Sequence, residues 1–194
     1  MTSFLDALTP LVEIRDAFGV ASYLGGSVAS IAHGTPRTTL DIEVIAEINP
    51  SQIRPLVDRL QGSSYIQAAD IYEAIQHRSS FNLIHLASMI KVDVFLAPER
   101  PFDRSKAQRA RSGYITASDP RPFHLTSPED IILQKLEWYA MGGHVSERQW
   151  NDSQGVLKVQ GSTLDLTYMR YWAANLGITD LLERALKDAG LVGG

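Results

Sequence analysis

Apolar and polar residues alternate sharply along Thr39–Glu47, with Leu40, Ile42 and Val44 on one side and Asp41 and Glu43 on the other. A period of two predicts a strand with one face toward a core. The same period recurs in Phe81–Leu86 and Met89–Leu96, which read as two strands joined by a tight turn near Ala87-Ser88. In the second, Ile90, Val92 and Val94 share a face, and Lys91, Asp93 and Phe95 share the other. Ala21–Leu24 is a short strand running into the glycine pair Gly25-Gly26.

Elsewhere the spacing is helical. Leu11, Ile14 and Phe18 fall on one face of a helix, with Thr9 as its cap, Pro10 as its first residue and Gly19 as its stop. Ser27–Ala32 reads as a helix opening at the glycines, Pro50–Leu60 as one with Ile53, Leu56, Val57 and Leu60 inward, and Ala69–His77 as another. From Pro101 a short polar helix or loop follows. Ser127-Pro128-Glu129-Asp130 then opens a strong helix with a serine cap, proline at the first position and acids in the first turn; Gly142-Gly143 ends it. Three more helices are expected near Glu147–Val159, Leu166–Asn175 and Thr179–Ala189. The pattern predicts an α/β (α+β) fold: a mixed β-sheet core with flanking helices over residues 1–122, then a helical bundle over 123–194.

The chain has 194 residues, 44% of them hydrophobic and 21% charged, which suits one packed domain or two small ones. The net charge of -4 argues against a protein that coats nucleic acid through its whole surface. There is no cysteine, which removes thiol catalysis and thiolate zinc sites and fits a reducing, cytoplasmic setting. No signal peptide and no membrane-length apolar run is visible. Oligomeric state is not legible, although a helical second half offers a face for a dimer.

The candidate chemistry lies between the glycines and the acids. In a strand, Asp41 and Glu43 stand side by side, and adjacent carboxylates repel unless a cation such as Mg2+ lies between them. Gly25 and Gly26 let backbone approach a phosphate that a Cβ would block. Asp93 is an acid in the middle of an apolar strand, which needs a cation or donor. Each has a plainer reading. A glycine pair is commonly a turn, Asp-x-Glu a solvated edge, and Asp93 a partner of Lys91 or an arginine. His33, His77, His85, His124 and His144 lack metal spacing. Trp138, Trp150 and Trp172 fit a core better than a stacking platform. The segment Arg100–Arg121 holds six basic residues against Glu99, Asp103 and Asp119. It reads either as a solvated surface or as a landing strip for RNA phosphates.

Gly25-Gly26-Ser27, then Asp41-Ile42-Glu43, then Asp93 on a later strand resembles the polymerase-β-type nucleotidyltransferase superfamily. The spacing from Gly25-Gly26 through His33-Gly34 to Arg37-Thr38-Thr39-Leu40-Asp41-Ile42-Glu43 is most similar to the AbiEii-like nucleotidyltransferase toxins. Ser127 to Leu136 resembles that family's third element through Lys135, and Arg148-Gln149-Trp150-Asn151-Asp152 the fourth through Arg148 and Asp152. Glu43 stands where aspartate is commoner.

The resemblance implies an Mg2+-dependent nucleotidyltransferase core that moves a nucleoside monophosphate from NTP to an RNA, protein or small-molecule acceptor. It implies two Mg2+ ions held by Asp41, Glu43 and Asp93, with Asp93 shaping the second site. Gly25, Gly26, Ser27, Arg37, Lys135 and Asp152 are implied at the nucleotide, with Ser27 on the β/γ phosphates, Lys135 offering a point charge and Asp152 orienting Lys135 or the base. A toxin of this kind implies an antitoxin partner. The alternative is a catalytically inactive relative that binds nucleotide or a partner protein.

Overall fold

The structure, a computed structural model, describes residues 4–39, 41–97, 99–116 and 119–193, without the side chains of Phe4, Pro10, Leu11, Glu13 and Ile14. Leu40 thus lies outside the described residues, as do the Leu11 and Ile14 side chains expected to face inward. The chain is a mixed α/β protein whose contacts separate it into two compact units. One comprises residues 1–24 and 39–104, the other 25–38 and 105–194. The two units are thus interleaved along the chain.

The first unit begins with a 3-10 turn, Phe4–Leu8, that feeds into α1 (Thr9–Phe18). Thr9 therefore opens the helix where a capping role was expected, and Leu8 precedes it. Gly19, at φ +63°, ends it in the left-handed region that favours glycine. The strands are β1 (Ser22–Leu24), β2 (Ile42–Ala46), β3 (Ser64–Tyr65), β4 (Ser80–His85) and β5 (Ile90–Leu96), in the order β3-β4-β5-β2-β1. β2 and β5 run parallel, and the other pairs in this order are antiparallel. Ile42, Val44, Phe81, Leu83, Val92 and Val94 are buried on one face. With them are buried Ile53, Leu56 and Leu60 of α3 (Ile53–Leu60) and Ile71 and Ala74 of α4 (Ala68–His77). That one-sided burial leaves the polar half of each alternation on the opposite face.

The chain passes between units within α5 (Pro101–Arg109). The second unit contains α2 (Gly26–His33), the hairpin of β6 (Arg111–Gly113) and β7 (Phe123–Leu125), and four longer helices. These are α6 (Pro128–Met141), α7 (Glu147–Gln160), α8 (Leu166–Leu176) and α9 (Thr179–Asp188). α6 carries Ile131, Ile132, Leu133 and Leu136, all without exposed surface, and is the hub against which α2, α7, α8 and α9 pack. α2 approaches α7 closely at two glycines. A Cβ on Gly34 would lie 2.9 Å from the Val156 backbone nitrogen, and one on Gly155 would lie 3.2 Å from Thr35 Oγ1. No described helix is long and apolar enough to cross a membrane.

Candidate functional site

The acids of the first unit fall into a row set by strand register. In the β2–β5 pairing Glu43 stands directly opposite Asp93, and in the β4–β5 pairing Asn82 stands on Asp93's other side. Paired residues on neighbouring strands point to the same face about 4.8 Å apart. Glu43 and Asp93 are half-exposed, whereas their strand neighbours Ile42, Val44, Val92 and Val94 are buried. Asp41 is exposed and stands one residue ahead of β2, not inside it. Its backbone N–H bonds to Thr39 Oγ1 at 3.2 Å, and such local side-chain bonds compete with a strand ladder. Lys91, two residues before Asp93 on the same face, places Nζ 2.9 Å from Asp93 Oδ1.

This donor set fits a hard divalent cation in kind, because it is made of carboxylate oxygens and two of them face each other across adjacent strands. Among the described residues, no group of three His, Cys, Asp or Glu side chains is gathered closely enough to hold a metal. Asp93 is engaged by the Lys91 ammonium.

The second unit gathers a different set. Gly26, the first residue of α2, has φ +50°, so the chain enters this helix through a conformation that favours glycine. Ser27 follows and is fully buried. Its Oγ accepts from Arg37 Nη2 at 3.0 Å and from Arg148 Nη2 at 2.7 Å. Arg37 forks onto Asp152, with Nε to Oδ1 and Nη2 to Oδ2 both at 2.8 Å. Lys135 Nζ reaches Asp152 Oδ2 at 3.1 Å, and the Lys135 side chain is only 1% exposed. It also lies 5.3 Å from the Trp138 ring centroid. Burial alone would raise the Asp152 pKa. The Arg37 hydrogen bond and the Lys135 charge outweigh it and hold the carboxyl below its ordinary value.

Three cations thus surround one carboxylate and one hydroxyl beside the N-terminus of α2. Of the residues expected at a nucleotide, Gly25 and Gly26 shape this entry, and Ser27, Arg37, Lys135 and Asp152 are joined by direct contacts. Ser27 holds two guanidinium groups where a phosphate contact was expected. Arg148, named above only for its resemblance to the fourth element, also joins this cluster through Ser27. The signal was present: Arg148 and Asp152 are four apart on α7 and share a helix face.

The basic segment Arg100–Arg121 is largely engaged internally. Arg100 pairs with Asp103, Arg121 with Asp119, and Lys106 is buried. Arg109 Nη2 lies 3.1 Å from Glu129 Oε2, and its guanidinium stacks 3.9 Å from the Tyr168 ring centroid. Tyr168 donates to Asp130 Oδ1 at 2.6 Å and Ser127 to Asp130 Oδ2 at 2.6 Å. Burial pushes the Asp130 carboxyl and the Tyr168 phenol upward. Arg104 and Arg111 are exposed. His33, half-buried, has Nε2 2.8 Å from Thr126 O, and burial lowers its pKa. It lines a cavity of about 300 Å³ with Arg111, Glu129 and Gln160.

No protein family's sequence model and no curated protein matches this chain. Solved structures match it in shape. The antibiotic-resistance factor ANT(2'')-Ia superposes over 94% of this chain and 99% of its own, with a TM-score of 0.55 and 11% identity. An antigenic nucleotidyltransferase-like protein from Paracoccidioides brasiliensis does so over 95% and 92%, with a TM-score of 0.55 and 15% identity. At these identities the likeness is one of fold: the chain has the fold of a nucleotidyltransferase-like protein.

Proposed function

We propose that this protein is an Mg2+-dependent nucleotidyltransferase, moving a nucleoside monophosphate from NTP to a hydroxyl-bearing acceptor. The observation that carries the reading is the partly buried cluster in which Arg37 and the exposed Arg148 meet on Ser27, and Arg37 and Lys135 meet on Asp152. Such a concentration of positive charge at a helix N-terminus suits a polyphosphate. The transition state of nucleotidyl transfer is chiefly charge on phosphate oxygens, so positioned cations are the main requirement. Arg37 and Arg148 bind phosphate, with Ser27 fixing the plane of both guanidinium groups. Lys135 contributes a point charge that Asp152 holds in place. Asp41, Glu43 and Asp93 are the residues that would hold divalent ions, which would supply positive charge and lower the pKa of an acceptor hydroxyl.

Among acceptors, the arginines on which an RNA reading rests mostly have internal partners, which favours a small hydroxylated molecule. RNA and protein acceptors, and with them the AbiEii-like toxin role and its antitoxin partner, are the finer alternatives. Incubation with each labelled NTP, Mg2+ and either total RNA, a protein lysate or hydroxylated small molecules separates them by where label appears. Asp41→Asn is expected to abolish transfer while leaving NTP binding. Full transfer by Asp41→Asn would refute the metal role.

A second reading, a catalytically silent nucleotide binder, is favoured by the Lys91–Asp93 pair and by Glu43 in place of the commoner aspartate. NTP-dependent thermal stabilisation with no label transferred to any acceptor would support it.

A further inference from the structure

The geometry points to Lys91 as a positioning residue that competes with a divalent cation for Asp93 and so sets the cation concentration at which the carboxylate row loads, an inference resting on the metal role proposed above. Lys91 and Asp93 are i and i+2 on β5, hence on one face, and their charged atoms are 2.9 Å apart. The Lys91 side chain is 54% exposed and that of Asp93 23%. A pair this open contributes little to folding, so stability does not account for it. Its electrostatic setting does. Asp93 has Glu43 opposite it on β2 and neutral Asn82 opposite it on β4. The two facing carboxylates repel, and the Lys91 ammonium supplies a counter-charge from their own face.

A cation approaching Asp93 therefore meets an oxygen already engaged by an ammonium. The flexible four-carbon stem of lysine lets that ammonium swing away without disturbing the strand. No bond is made or broken in the exchange, which is one cation for another on a carboxylate. Its consequence is a threshold: a divalent ion must displace the Lys91 ammonium before it loads onto Asp93.

The test is Mn2+ binding to the full-length protein without nucleotide, read by the loss of free-ion electron paramagnetic resonance signal. Lys91→Met is expected to bind Mn2+ about five- to tenfold more tightly than wild type, the scale of removing one nearby positive charge in a largely solvated setting. Lys91→Arg should restore wild-type affinity, and added salt should shrink the difference. In an Asp93→Asn background, Lys91→Met should change nothing. Equal or weaker binding by Lys91→Met, or the same gain in the Asp93→Asn background, would overturn the role of Lys91 alone. Mn2+ affinity indifferent to both Glu43→Gln and Asp93→Asn would instead remove the metal site itself, and this inference with it. Lys91 lies on an open face, so unchanged urea unfolding of the variants serves as the folding control.

Discussion

Asp152 is the residue whose replacement has the clearest consequence. It pairs with the buried Lys135 ammonium and the Arg37 fork together. Asp152→Ala takes this carboxylate away from a lysine held in the interior and should cost about 3 kcal/mol, to be checked by urea unfolding. Replacing the pair with apolar groups of similar size, Lys135→Met with Asp152→Leu, should recover most of that stability and still abolish nucleotide binding. Ion-pair stability and nucleotide binding are thus separable. His33 gives the pH counterpart. Burial lowers its folded pKa below 6.5, so the unfolded chain takes up the proton first as pH falls. Its contribution to stability is complete above pH 6.5 and is lost as pH drops through the folded value. His33→Gln should flatten the slope of urea midpoint against pH between about 7 and 5.

At the scale of elements, α6 depends on its first turn. The Ser127 hydroxyl accepts from the Asp130 N–H at 3.2 Å and donates to the Asp130 carboxylate, so Ser127→Ala removes a cap and withdraws a donor from a buried acid. A loss of about 2 kcal/mol is expected in equilibrium unfolding. The contact of α2 on α7 depends on missing side chains. Gly34→Ala would bring a methyl carbon within 2.8 Å of Ser30 O and 2.9 Å of Val156 N, and backbone atoms cannot step aside as side chains do. It should cost about 1–3 kcal/mol and, by moving α2, weaken NTP binding more than its distance from Ser27 suggests. Most of these elements are legible from periodicity: β4, β5, α4, α6, α7, α8 and α9 lie within a residue or two of their expected bounds. β6 and β7 are not, being three residues each and stabilised by pairing with one another, without an alternating run of their own. β2 is shorter than its alternation suggests because Thr39 captures the Asp41 N–H. The link from Arg37 to Asp152 spans 115 residues, and no local pattern reports a contact of that separation.

At the scale of the whole molecule, charge and ligand binding make a joint prediction. The net charge is -4 and much of the basic segment is internally paired, so RNA should be retained weakly, with a shallow dependence on salt. An NTP with Mg2+ present should raise Tm by a few degrees at concentrations well above Kd, and Arg148→Ala should abolish most of that rise. The division of the chain carries a further consequence. It crosses between units at 24/25, at 38/39 and at 104/105, so neither unit is one continuous stretch of polypeptide. A fragment starting at residue 105 retains Lys135, Arg148 and Asp152 yet loses Ser27, Arg37 and the helix that packs on α6 and α7. No single genetic cut yields either half intact. Only a rearranged gene, or a separate peptide spanning 25–38 supplied in trans, could rebuild the cationic cluster.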